Sequence, residues 1–142
     1  MIKTIKADKI SKKDIRDLIL LYKEKGWWDK EPSSYLKKMI KGSFIFAAYY
    51  EKGKIAGMGR IISDGISDAY IQDLAVFKKY EGKGIGTKIL NFLSEKSKKF
   101  SFLSLIAQNK TEKFYKKNGF RKAKNAKAML YDKIRKTEKY GL

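Results

Sequence analysis

The 142-residue chain is 43% hydrophobic and 13% aromatic with a single proline, which excludes a disordered or collagen-like polymer and fits one globular domain. It contains no cysteine and no histidine, so disulfides, thiolate nucleophiles, Cys/His zinc sites and Ser-His or Cys-His catalytic pairs are all removed. The formal charge of +19 invites a polyanion partner, yet the lysines are spread as doublets through every segment and only Arg16, Arg60, Arg121 and Arg135 are arginines. That pattern reads first as a solvated lysine-rich surface, with nucleic acid as the second reading.

No repeat, linker or low-complexity tract divides the sequence, so one domain is expected over residues 1–142, as a monomer or homodimer. The amino terminus has no continuous apolar segment, and no uncharged apolar run approaches the ~18 residues of a membrane span. The expectation is a cytoplasmic protein with no membrane partner and no metal.

In chain order, "MIKTIKA" alternates as a first strand, and "SKKDIRDLILLYKEKG" reads as a helix capped by Ser11 and ended by Gly26. A loop with Trp27, Trp28 and Pro32 precedes a short helix, "SSYLKKMIKG", with Ser33 or Ser34 as its cap. "SFIFAAYYEKGKIAGMGRIISDG" predicts a hairpin turning at Gly53. "DAYIQDLAVF" is apolar enough on both faces to be a central strand. A helix follows from Ile85 to about Lys99, then a strand "FLSLIA", a short helix "NKTEKFYKKNGF", and a last strand "AKAMLYDKI". This succession predicts an α/β (α+β mixed) fold, a mixed sheet with helices on both faces.

Between the central strand and the next helix stands "YEGKGIGTK". A nucleotide-hydrolase phosphate loop fails, because Thr87-Lys88 is reversed and position 81 is not glycine. A dinucleotide fingerprint fails as well, because Thr87 stands where its third glycine belongs. What remains is a strand, a glycine turn and a helix start whose unpaired amides and positive dipole end form an anion site suited to a pyrophosphate. The competing reading is a tight turn with close helix–sheet packing.

With its buried strand and glycine turn, this stretch resembles the GNAT superfamily of acetyl-CoA-dependent N-acetyltransferases, whose signature is Q/R-x-x-G-x-G/A. Glu81-Gly82-Lys83-Gly84-Ile85-Gly86 follows "LAVFKKY", with acidic Glu81 where the family usually has a differently charged or neutral side chain. A second signature, N-x-x-A-x-x-F-Y-x-x-x-G-F, is matched by Phe114-Tyr115 and Gly119-Phe120, with Gln108 in the Asn slot, Asn109 beside it and Thr111 for Ala. The resemblance implies a central mixed, mostly antiparallel, splayed sheet. It implies an acetyl-CoA cofactor whose pantetheine runs along Leu74, Ala75 and Val76 and whose pyrophosphate meets the amides of Lys83, Gly84, Ile85, Gly86 and Thr87, with Glu81, Gly82, Gln108 and Asn109 also at the cofactor.

The same resemblance implies transfer of acetyl to a primary amine, small or peptide-borne, by direct attack in a ternary complex. The missing cysteine already excludes an acetyl-cysteine intermediate. Tyr115 takes the place of the tyrosine that protonates the departing CoA thiolate, or else packs beside Phe114. Strict alternation places Tyr70, Gln72 and Leu74 on one face of the central strand and Ile71, Asp73 and Ala75 on the other, so only one polar set can face the acceptor, and Tyr70 and Gln72 are the substrate-binding candidates. Asp73, an acidic residue within that strand, is either the base or a structural partner of Arg60 or a nearby backbone group. Trp27, Trp28 and Glu31 lie on the expected acceptor loop, where the tryptophans serve substrate or core. A non-catalytic acyl-CoA sensor and a nucleic-acid-binding module are the alternatives.

Overall fold

A computed structural model describes residues 1–131, 133 and 141. They fall into two compact units, Met1–Leu105 and Ile106–Leu142. The first holds a five-stranded sheet in the order β1 (Ile2–Thr4), β2 (Ile45–Glu51), β3 (Lys54–Ser63), β4 (Ala69–Val76) and β5 (Leu103–Ser104). The first four strands pair antiparallel, and β5 runs parallel to β4. The mixed, mostly antiparallel sheet expected from the sequence is therefore present.

Helix α1 (Lys12–Glu24) starts at Ser11, whose side chain accepts the Asp14 N–H. It ends where Gly26 takes φ +73°, so that the Gly26 N–H donates to Lys23 O and the Trp27 N–H to Tyr22 O. This double closure satisfies two carbonyls that the helix end would leave unpaired. Helix α2 (Ser33–Gly42) differs from expectation at its start. Pro32 is the cap, without a side-chain hydrogen bond, and Ser33 is already helical. Proline's fixed φ suits that entry as well as a serine would.

Leu18, Leu21 and Tyr22 of α1 and Leu36 and Ile40 of α2 pack with Phe46, Met58 and Ala75 on one face of the sheet. Helix α3 (Ile85–Lys96) covers the other face, where Ile89 and Leu93 lie over Gly57 and Gly59. It ends at Lys96 rather than about Lys99, and residues 97–99 do not continue it. The strand expected over 102–107 is reduced to Leu103–Ser104, which pairs with β4 over two residues only.

The decisive irregularity is in β4. Arg60 pairs with Gln72 and Met58 with Ala75, so Asp73 and Leu74 together oppose Gly59. This is a β-bulge, and Asp73 carries it at φ +56°. The strict alternation expected from the sequence is corrected here. Asp73 joins Tyr70 and Gln72 on the α1 face, while Leu74 moves to the α3 face, its Cδ1 3.1 Å from the place of a Gly59 Cβ.

The second unit contains α4 (Glu112–Lys117). Residues 126–131 and Lys133 form no strand, with Met129 89% and Tyr131 69% exposed; Asp132 and Ile134 of the expected last strand lie outside the described residues. Short strands depend on neighbours that a local pattern does not identify.

Gly57 and Gly59 test how closely α3 is seated. A Cβ at Gly57 would lie 2.9 Å from the Ala75 carbonyl oxygen, whereas one at Gly59 would meet only side-chain ends of Leu93, Ile89 and Leu74. Gly57→Ala is expected to destabilise by about 1–3 kcal/mol and Gly59→Ala by less, because backbone cannot retreat as a methyl can. Urea denaturation of the two variants gives the order directly.

Candidate active site

The strand β4 leads through a single 3-10 turn at Lys78–Tyr80 into the glycine turn. Gly82 and Gly84 both adopt φ +76°, and nothing lies within 4 Å of where their Cβ atoms would be. Glycine is thus required there by backbone conformation, and the vacant space in front of it is open to a ligand. Gly84 is the N-cap of α3, and the Lys88 N–H donates to Gly84 O as the first helical bond. The N–H groups of Ile85, Gly86 and Thr87 therefore belong to the first turn, where a helix has no internal acceptor for them. Their dipole end attracts anions by roughly 0.3–1 kcal/mol apiece at an exposed site.

The turn is stapled to the end of α1. Lys25 Nζ lies 3.0 Å from Glu81 Oε1 and 3.6 Å from Glu24 Oε2, and Glu24 Oε2 also accepts the Lys78 N–H at 2.9 Å. Glu81, the departure from the family pattern, thus has a partner that the motif alone did not reveal. Lys83 lies over the Tyr80 ring and Lys88 over the Tyr49 ring, both beside the turn.

Among the described residues, the β5 ladder on β4 ends at Tyr70, so the edge from Ile71 to Val76 has no strand beside it within the first unit. The Phe77 N–H donates to Ala56 O on β3. Antiparallel pairs alternate, so the N–H and C=O of the preceding Val76 face away from β3, toward the uncovered edge. Leu74, Ala75 and Val76 therefore lie along an edge that leads straight into the glycine turn.

On the α1 face, Asp73 Oδ2 accepts two hydrogen bonds of 2.8 Å, from Arg60 Nε and from the Tyr22 hydroxyl. The Arg60 and Asp73 side chains are only 13% and 15% exposed. Burial first, and then the Asp73 carboxylate, push the Tyr22 phenol far above its ordinary range, so it remains a donor throughout the accessible pH range. The Tyr22 ring also meets Trp27 at 6.3 Å and Trp28 at 5.8 Å. Trp28 is a buried core residue, and Trp27 is partly buried against that core. Glu31 Oε2 accepts the Asp29 N–H within the same loop. Tyr70 and Gln72 sit half-buried on the Asp73 face, paired with Ile62 and Arg60. No sequence motif marks Tyr22, a residue within the helical stretch that ends at Gly26. The signal available was its hydroxyl, which a buried tyrosine must satisfy.

Within the second unit, Gln108 O accepts from the Thr111 hydroxyl and N–H, and Gln108 and Asn109 are exposed. Gly119 takes φ +91°, its N–H donates to Lys116 O, and the Phe120 N–H donates to Tyr115 O. The rings of Phe114 and Phe120 stand 5.1 and 5.9 Å from that of Tyr115. The spacing Y-x-x-x-G-F is thus the closure of α4 about Tyr115, the same device that closes α1 about Tyr22. No described group of three or more His, Cys, Asp or Glu side chains is arranged to hold a metal, and no described helix is long and apolar enough to cross a membrane.

Gly84→Ala is expected to lower stability by about 1–2 kcal/mol, since the new methyl has room but φ does not suit an L side chain. Chemical denaturation measures it, and an unchanged midpoint would remove the left-handed cap from this account.

The family model described as an acetyltransferase (GNAT) domain matches residues 9–130. A histone acetyltransferase of Glycine max is 28% identical over 120 residues, covering 75% of this chain and 52% of the relative. An uncharacterized N-acetyltransferase of Pyropia yezoensis is 30% identical over 99 residues, covering 66% of this chain and 57% of the relative. The chain spans about half the length of these relatives. Among solved structures, a GNAT-family acetyltransferase of Streptococcus pneumoniae superposes with a TM-score of 0.75 at 25% identity, covering 92% of this chain and 96% of the other. With the match running through both signatures and nearly every element described above, the chain belongs to the GNAT acetyltransferase family.

Proposed function

We propose that this chain is an acetyl-CoA-dependent N-acetyltransferase, with residues 1–142 acting as one catalytic domain on a primary amine, small or peptide-borne. The observation that carries the reading is the edge of β4, with no described strand beside it in the first unit past Tyr70, running directly into the first-turn amides of α3 at the glycine turn. In this reading the pyrophosphate lies on the amides of Lys83 to Thr87, with Lys83 and Lys88 adding charge. Pantetheine lies along Leu74 to Val76, and the Val76 N–H polarises the thioester carbonyl as negative charge develops on its oxygen.

Bound acetyl-CoA would supply the acetyl thioester for attack by the amine nitrogen, and Tyr115, assigned by its place in the second signature, would give its proton to the sulfur as the C–S bond breaks and regain one from water. A phenol with a reference pKa near 10 suits that transfer, since the thiolate's own is not far below. The amine's proton leaves through water. The two donors already on Asp73 Oδ2 favour a positioning part for that carboxylate over the base role. Trp27, Glu31, Tyr70 and Gln72 are assigned to the acceptor side. The Glycine max relative is named for acting on histones; a chain of charge +19 repels a basic tail, which favours a less basic acceptor here.

Calorimetric titration with acetyl-CoA and with desulfo-CoA, at low and physiological salt, tests the cofactor site. One-to-one saturation by both ligands at both salts is expected, and no binding at either would sink the reading. Tyr115→Phe is expected to lower kcat by about 100-fold while desulfo-CoA affinity stays within about twofold, in line with the usual size of general-acid effects. Unchanged kcat would remove Tyr115 as the acid.

A further inference from the structure

We infer that Tyr22 and Arg60 are positioning residues, which clamp Asp73 into the bulge and thereby decide which β4 amide faces the uncovered edge. The inference rests on the acetyltransferase reading and names residues of that same site.

The geometry is one of parity. With the bulge, Ala56 stands opposite Phe77 and takes its N–H, so Val76 turns its N–H away from β3. Were β4 regular from the Arg60–Gln72 pair onward, Asp73 would oppose Gly59 and Val76 would oppose Ala56. Every amide beyond residue 73 would then exchange direction, and the Val76 N–H would be spent on β3. A one-residue slip thus removes the proposed oxyanion donor without moving the glycine turn.

Two forces select between these registers. In the regular register Asp73 would face α3, against Ile89 and Leu93 at the Gly59 position, where a carboxylate finds no donor. In the bulged register it reaches Arg60 Nε and the Tyr22 hydroxyl, both at 2.8 Å on one oxygen. The left-handed φ of +56° at Asp73 opposes the bulge, and these two donors offset it. Tyr22 is itself anchored twice, by its carbonyl accepting the Trp27 N–H and by its ring against Trp28. The clamp therefore ties the α1 end and the tryptophan loop to the reacting edge.

The test uses Tyr22→Phe, which keeps the ring and removes only the hydroxyl, and Asp73→Gly, which relieves the backbone and removes the carboxylate. Two quantities are read: kcat against KM for acetyl-CoA, and amide hydrogen exchange at Ala75, which pairs with Met58 and is protected in the bulged register. Tyr22→Phe is expected to lower kcat about tenfold with KM within about twofold, since loosening a donor costs less than deleting it. Ala75 exchange should quicken about tenfold while the α3 amides keep their protection, a local change that general destabilisation does not produce. Asp73→Gly should lose more on both readouts, although glycine is the residue best suited to a positive φ. Wild-type kcat and wild-type Ala75 protection in both variants would overturn the clamp. If Asp73→Gly fails to fold, Tyr22→Phe alone decides. If the wild-type protein transfers acetyl to no amine, the acetyltransferase reading is what fails, and exchange at Ala75 still decides the clamp.

Discussion

One carboxylate organises the centre of this fold. Asp73 sits in the middle of a strand at φ +56°, with Arg60 from β3 and Tyr22 from α1 on the same oxygen. A mostly buried carboxylate without partners would be heavily penalised, and removing one partner of such a pair typically costs about 3–5 kcal/mol. The chain must therefore bring three elements together at this point. The bulge in β4 sits at that meeting, which joins α1, β3 and β4 on one oxygen.

The glycines divide into two kinds of constraint. Gly57 and Gly59 are set by distance: they let α3 approach β3 so closely that a Cβ at Gly57 would lie 2.8 Å from Ile89 Cδ1. Gly82 and Gly84 are set by angle, at φ +76° with open space before them. The first pair seats the helix against the sheet, and the second turns the chain into its amino end with open space before the turn. A helix seated firmly by apolar contacts can hold unpaired amides in place without reorganising when an anion arrives, which is why such ends bind phosphates well.

A second regularity runs through both units. "YKEKGW" and "YKKNGF" each close a helix by a left-handed glycine, with the following aromatic donating its N–H back to the tyrosine carbonyl. Tyr22 and Tyr115 are thereby fixed in backbone and ring by the same chemistry. One holds the clamp on Asp73, and the other is the residue proposed to hand over a proton.

The sequence by itself determined the elements whose causes are local: the Ser11 cap, the Gly26 and Gly119 closures, the hairpin at Gly53, the glycine turn and the two signatures that name the family. Each is written in a few consecutive residues, so periodicity, caps and spacing suffice to find it. The bulge, the Tyr22 hydroxyl bond, the Lys25–Glu81 staple and the shortness of β5 were decided only by tertiary structure. Alternation along β4 is the default for an isolated strand, and it is broken because donors distant in sequence, at positions 22 and 60, outweigh the local preference. A single carboxylate in an apolar run announces that it needs partners; which ones, and on which face, is settled by where the rest of the chain folds.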